Sequence, residues 1–226
     1  MKAAPAARSW IAAGVRHELL TRALPALRHD MAAPVSVIRM ALLMLKRAVA
    51  APTVDAAACE QRLALVDDQI GALVKAVRSL RDWELAIGDD GLTRSALVAQ
   101  CTGLMRPAFD LQGVSISVEE ALVPSEGETV WPEGAALRYL VLGALGYLHD
   151  MVDEVGRITV QADGADALKF SAALRDPDQV DRVADAHRAP RALAIDGIAL
   201  QSLADDLGYA LTVEPDAVRL VLAAPR

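Results

Sequence analysis

Between Leu24 and Val49 the apolar residues Leu24, Leu27, Met31, Ile38, Leu42, Leu45 and Val49 recur mostly at steps of three and four, which predicts one long amphipathic helix. Pro52, with no backbone N–H to donate, closes it. A second run, Leu63, Val66, Ile70, Leu73, Val77, Leu80 and Ile87, holds a heptad register in which Glu84 is the polar exception. Two long helices joined by a short loop predict an antiparallel hairpin. Its apolar seam is wide and few aromatic residues are present to close it, so the pattern predicts burial against a second copy: a homodimer built on a four-helix bundle.

Gly88-Asp89-Asp90-Gly91 breaks the helical period and reads as a linker. Beyond it, helices alternate with short strands. The pattern predicts a helix over 94–108, a strand over 114–118, a helix from Glu133 to about Val152, and strands over 157–161 and 167–174. A helix over 194–207, ended by Gly208, and strands over 210–214 and 218–222 complete the chain. The fold class is therefore α+β, with helices on one face of a mixed sheet. The expected divisions are an N-terminal segment 1–19 without a defined element, a helical hairpin 20–88, and an α/β unit 92–226.

Composition narrows the classes of function. A chain of 226 residues can bury a core without covalent staples. Cys59 and Cys101 stand far apart with no metal or redox spacing, which argues against a zinc site or a disulfide scaffold and makes a reducing cytoplasm the expected location. A net charge of −7 argues against nucleic acid as the main partner. The apolar run from Trp10 to Val15 is too short for a membrane span or a signal-peptide core, so no membrane association is expected.

Candidate chemistry centres on His29. With Leu24 and Met31 at a positions, His29 falls at f and points away from the seam. A neutral imidazole there offers one unprotonated ring nitrogen to a phosphoryl group, and Asp30 could hold the proton of the other. Pro34 removes the hydrogen bond to the Asp30 carbonyl and predicts a bend one turn on. A rival, His17-Glu18-Leu19-Leu20-Thr21, carries Arg22 where a proline would complete the same pattern. His149-Asp150 reads as a solvated helix end and His187 as part of a polar loop. Asp67, Asp68 and Asp82 alternate with Lys75, Arg78 and Arg81 as a solvated face or the rim of a docking surface. Val37 and Met40 are candidate apolar contacts for a partner.

The box His29-Asp30-Met31-Ala32-Ala33-Pro34, followed by Val35, Ile38 and the heptad hairpin, resembles the phosphoacceptor box of sensor histidine kinases: a histidine, an acid, three residues and a proline. The likeness covers about Leu20 to Ile87. The order of elements downstream resembles the ATP-binding domain of the same family, which extends it over nearly the whole chain. The resemblance implies His29 as phosphoacceptor, with Asp30 and Pro34 as its companions.

The nucleotide motifs depart from the family. Gly143 and Tyr147 stand where two asparagines hold magnesium and phosphates, and neither supplies an amide oxygen. The Asp-x-Gly-x-Gly loop corresponds to Asp176-Pro177-Asp178-Gln179-Val180, keeping Asp176 and losing both glycines. The glycine-rich lid shrinks to Asp196-Gly197-Ile198, and Asp178 and Asp181 would repel a triphosphate. Neither ATP nor a resident metal is expected. Ala33 replaces the Thr or Asn that positions water in phosphatase-competent relatives. What the resemblance leaves is phosphotransfer between response-regulator receiver domains, the receiver bringing the aspartate and Mg²⁺. That matches dimeric histidine phosphotransferases that look like kinases stripped of their nucleotide site. A pseudokinase adaptor without phosphate chemistry and a divergent ATP-dependent kinase are the competing readings.

Overall fold

The computed structural model describes residues 5–78, 80, 83, 91–175 and 193–223. Asp176, Asp178, Asp181 and His187 lie outside them, as does most of the expected linker. The chain divides into two compact units, one formed by Leu24–Glu84 and the other by Met1–Ala23 together with Leu85–Arg226.

The first helix, α1, spans Pro5–Val49 and continues through both Pro25 and Pro34. Residues 5–19, for which the pattern predicts no defined element, are therefore helical. They carry four alanines together with Arg8, Arg16 and Leu19, all strong helix formers. A buried stripe, Ala12, Val15 and Leu19, continued by Ala23, runs along them at the helical period.

Within the unit Leu24–Glu84, α1 ends beyond the basic last-turn residues Lys46 and Arg47, which suit the negative end of a helix dipole. The second helix, α2, spans Ala56–Arg78. Asp55 caps it, its Oδ1 accepting from the Ala58 N–H at 3.1 Å. The least exposed line of α1 runs Leu27, Met31, Pro34, Ile38, Ala41, Leu45 and Ala48; that of α2 runs Val66, Gln69, Leu73 and Ala76. Of the expected seam residues, Leu42, Val49, Leu63, Ile70 and Val77 are exposed within one chain. The apolar stripe is wider than a single line of helix contact, so its flanks stay uncovered within one chain.

The second unit is built on a five-stranded mixed sheet with strand order β2-β4-β5-β7-β6. Its strands are β2 (Ser115–Val118), β4 (Val155–Ala162), β5 (Ala167–Leu174), β6 (Leu211–Val213) and β7 (Ala217–Val221). β2 pairs with β4 in parallel, and the other pairings are antiparallel. Short β1 (Leu92–Thr93) and β3 (Val130–Trp131) pair separately. Ile158, Val160, Leu168, Phe170, Val218 and Leu220 are buried, while Arg157, Lys169 and Arg219 between them are exposed, the period-two alternation of a sheet covered on one face.

Among the described residues three helices cover that face: α3 (Arg94–Asp110), α4 (Gly134–Met151) and α5 (Gly197–Leu207). Thr93 caps α3 and Asp196 caps α5, each side-chain oxygen accepting from an N–H three residues on. Gly208 ends α5 in the left-handed region at φ 75°, where a side chain would be strained. α4 lies on β4, β5 and β7 with α3 and α5 beside it, and every residue from Gly134 to His149 is buried. A helix apolar all round needs cover all round, and residues 5–23 of α1 supply part of it.

Candidate functional site

His29 leaves the surface of α1 with 81% of its side chain exposed. Its Nδ1 lies 3.8 Å from Asp30 Oδ1, beyond hydrogen-bond reach, so Asp30 places a negative charge beside the ring but does not hold its proton. Pro34 belongs to the buried line of the helix, and Ala33 is exposed.

Helical pitch puts Ser36, Met40 and Leu43 below His29, at two, three and four turns along the same face. Met40 is 57% exposed, and Val37 is exposed beside it. A groove of about 540 Å³ runs here, lined by Ser36, Arg39, Met40, Leu42, Leu43 and Lys46. An accessible imidazole above an apolar strip flanked by arginine and lysine suits a partner that presents an anionic phosphoryl group within an apolar contact surface.

Gly143, Tyr147 and Gly197, where nucleotide motifs are expected to be lost, lie in the other unit, on α4 and α5. A Cβ added at Gly143 would meet Leu200 Cδ1 at 2.9 Å, Leu203 Cδ2 at 3.2 Å and Leu19 Cδ1 at 3.9 Å. Gly143 is thus a point of close approach. Tyr147 crosses from α4 to donate its hydroxyl proton to the Glu214 carbonyl at 2.9 Å. Burial, with the charges of Asp196 and Asp216, pushes that phenol above its ordinary value. Gly197 opens α5, its missing Cβ 3.9 Å from the Tyr147 ring. Gly143, Tyr147 and Gly197 therefore come together in a packed region, while Asp176 is outside the described residues. Among the described residues no group of three or more His, Cys, Asp or Glu is placed to hold a metal.

His149 and Asp150, expected at a solvated helix end, are instead buried, each with 2% of its side chain exposed. The correction follows from residues distant in sequence. The His149 ring stacks on Phe109 at 4.6 Å, and its Nδ1 lies 3.2 Å from Asp150 Oδ1. Asp150 Oδ2 accepts from Arg22 Nη2 at 2.7 Å and from the Ile195 N–H at 2.9 Å. Burial by itself would raise the Asp150 carboxyl; the hydrogen bonds from His149 and Arg22, the Arg22 charge and the Ile195 N–H outweigh it and hold the carboxyl well below the usual range.

Arg22 also donates through Nε to Glu18 at 2.8 Å and through Nη2 to the Leu193 carbonyl at 3.0 Å. By sequence alone it reads only as the residue in place of the proline of the rival histidine box. A signal for its role exists in the stripe Ala12, Val15, Leu19 and Ala23, which extends the helical period upstream of Leu24. The rival His17 is exposed, but Thr21 turns its hydroxyl to the His17 carbonyl at 2.9 Å and Glu18 is engaged by Arg22. Cys101 is buried, and loss of solvent, opposed by the Arg138 charge, pushes its thiol up to about 12, outside the reactive range.

No described helix is long and apolar enough to cross a membrane. No family model matches the chain, and no curated protein matches it. Among solved structures, the chain is similar to the Acinetobacter baumannii histidine kinase AdeS, with 9% identity over 88% of this chain and 98% of that one and a TM-score of 0.36. It is also similar to full-length ShkA in complex with AMPPNP, with 18% identity, 91% of this chain, 47% of that chain and a TM-score of 0.35; the chain spans about half the length of ShkA.

Proposed function

We propose that the chain is a dimeric histidine phosphotransfer protein of a two-component phosphorelay, passing a phosphoryl group between response-regulator receiver domains in the cytoplasm through His29. The observation that carries this reading is the exposed imidazole on a long helix, above a groove that is apolar at Met40, Leu42 and Leu43 and basic at Arg39 and Lys46. Support for a phosphate source other than ATP comes from α4, where Gly143 and Tyr147 stand in closely packed surroundings. The exposed flanks of the hairpin, Leu42, Val49, Leu63, Ile70 and Val77, suit burial against a second copy.

In this mechanism the lone pair of the unprotonated His29 nitrogen, Nε2, attacks phosphorus of a receiver's aspartyl phosphate. The bond from phosphorus to the aspartyl oxygen breaks, and its electron pair leaves with the receiver carboxylate. The proton stays on Nδ1, where the Asp30 carboxylate 3.8 Å away favours the charge the ring acquires. Attack by the aspartate of a second receiver reverses the sequence. Mg²⁺ comes with the receiver, and this chain supplies the nucleophile and its docking surface.

A panel of phosphorylated receivers tests the reading. Transfer of acid-labile phosphate to the chain, abolished in His29→Ala, is expected. Absence of transfer from every receiver sinks it. Binding that survives His29→Ala with no phosphate on the chain points to an adaptor instead, and protection against thermal unfolding by ATP and Mg²⁺ points to a nucleotide-dependent kinase.

A further inference from the structure

We propose that the face formed by α4 and α5 is a helix-binding groove and that residues 5–23 of the same chain are its releasable occupant. The inference concerns the second unit alone and is independent of the role of His29.

The groove has a floor, an acidic rim and an occupant that matches both. Its floor is cut by two glycines of α4. At Gly143 and at Gly146 an added Cβ would approach Leu19 Cδ atoms at 3.9 and 3.7 Å, so one leucine of α1 lies over both positions. At Gly146 the same Cβ would meet Ile195 Cδ1 at 2.9 Å and Arg22 Nη1 at 3.4 Å. The rim carries Asp150, Asp205 and Asp206. Arg22, Arg8 and Arg16 of α1 reach them at 2.7, 3.5 and 2.6 Å respectively. A basic amphipathic helix with a small and aliphatic inner stripe thus sits on an acidic, glycine-floored trench.

Two features point to release. The Arg8 and Arg16 pairs lie toward solvent, where ions screen them. At the buried end, Arg22 Nη1 is removed from water without a hydrogen-bond partner among the described residues, so the seat is imperfect at its most enclosed point. Beneath the segment, the sheet, α3, α4 and α5 pack on one another through their own side chains. Local opening of residues 5–23 would uncover the trench and leave that packing in place. The chemical class the uncovered trench would accept is a helix with arginines along one flank and small or aliphatic residues along the next.

The test uses the full chain carrying Leu19→Asp and Arg22→Glu together with a fluorescent peptide of residues 5–23. The peptide is expected to bind this variant roughly tenfold or more tightly than the wild type, whose groove is filled, and to bind less as salt is raised. Adding Asp150→Asn to the variant should weaken the peptide further. Amide hydrogen exchange on the unaltered protein gives an independent reading: residues 5–23 should exchange through an opening that leaves 134–149 protected. A folded variant that fails to bind the peptide, a variant that does not fold, or exchange of both segments only in global unfolding would each make residues 5–23 permanent core and overturn the proposal.

Discussion

Arg22 and Asp150, 128 positions apart in the chain, meet through an Nη2–Oδ2 hydrogen bond of 2.7 Å with 10% and 2% of their side chains exposed. The bond ties the N-terminal part of α1 to the end of α4. Removing one partner of such a buried pair strands the other charge, so Asp150→Ala should lower unfolding free energy by about 3–5 kcal/mol. Urea unfolding at neutral pH measures it.

The same pair sets an acid dependence. The folded Asp150 carboxyl titrates below its unfolded value, so the unfolded chain takes up that proton first on acidification. The stabilisation is fully present above the usual carboxylate range and is lost as pH falls through that range toward the folded value. Asp150→Asn should flatten this part of the stability–pH profile. An unchanged slope in the variant would assign the acid sensitivity to other carboxylates.

Gly143 sits within 2.9 Å, measured from its missing Cβ, of a Leu200 methyl carbon. Gly143→Asn, which adds an amide side chain, should therefore destabilise the unit by about 1–3 kcal/mol through overpacking and the burial of an amide. Thermal melts with and without ATP and Mg²⁺ should show a lowered Tm that nucleotide does not restore.

Tyr147→Phe removes one hydroxyl donor and leaves the ring in place. The loss of its bond to the Glu214 carbonyl should cost about 1 kcal/mol, read as a small fall in the denaturation midpoint with an unchanged slope.

On the hairpin, two substitutions separate chemistry from assembly. His29→Ala should leave stability within about 0.5 kcal/mol of the parent, because the side chain is exposed. Ile70→Asp, on a residue 47% exposed in one chain, should lower self-association in sedimentation equilibrium without unfolding the protomer. Dimers of undiminished affinity in that variant would place the interface elsewhere.

Much of the α/β unit is legible in its local pattern. The strand over 167–174 coincides with β5, and Gly208 ends α5 as its position predicts. Both depend on residues adjacent in the chain: alternation for a strand, a left-handed glycine for a helix end. The expected helix over 194–207 starts later, at Gly197, because the Asp196 side chain accepts from Ala199 and fixes the first turn. That is an N-cap signal visible in the sequence, where Asp196-Gly197 looked like the remnant of a lid.

By itself the sequence determined the two long amphipathic helices, the strand alternation and the outward placement of His29, because helical and strand periods depend on near neighbours. Tertiary structure alone decided which part of a wide apolar stripe turned inward, placing Ala41 in the least exposed line and leaving Leu42 outside. It also decided that Gly143, read as a missing metal ligand, is a point of close approach for Leu200 and Leu19, and that Arg22, read as a missing proline, is the partner of Asp150. Those outcomes rest on which distant segments come together, and periodicity carries no information about a partner 128 residues away.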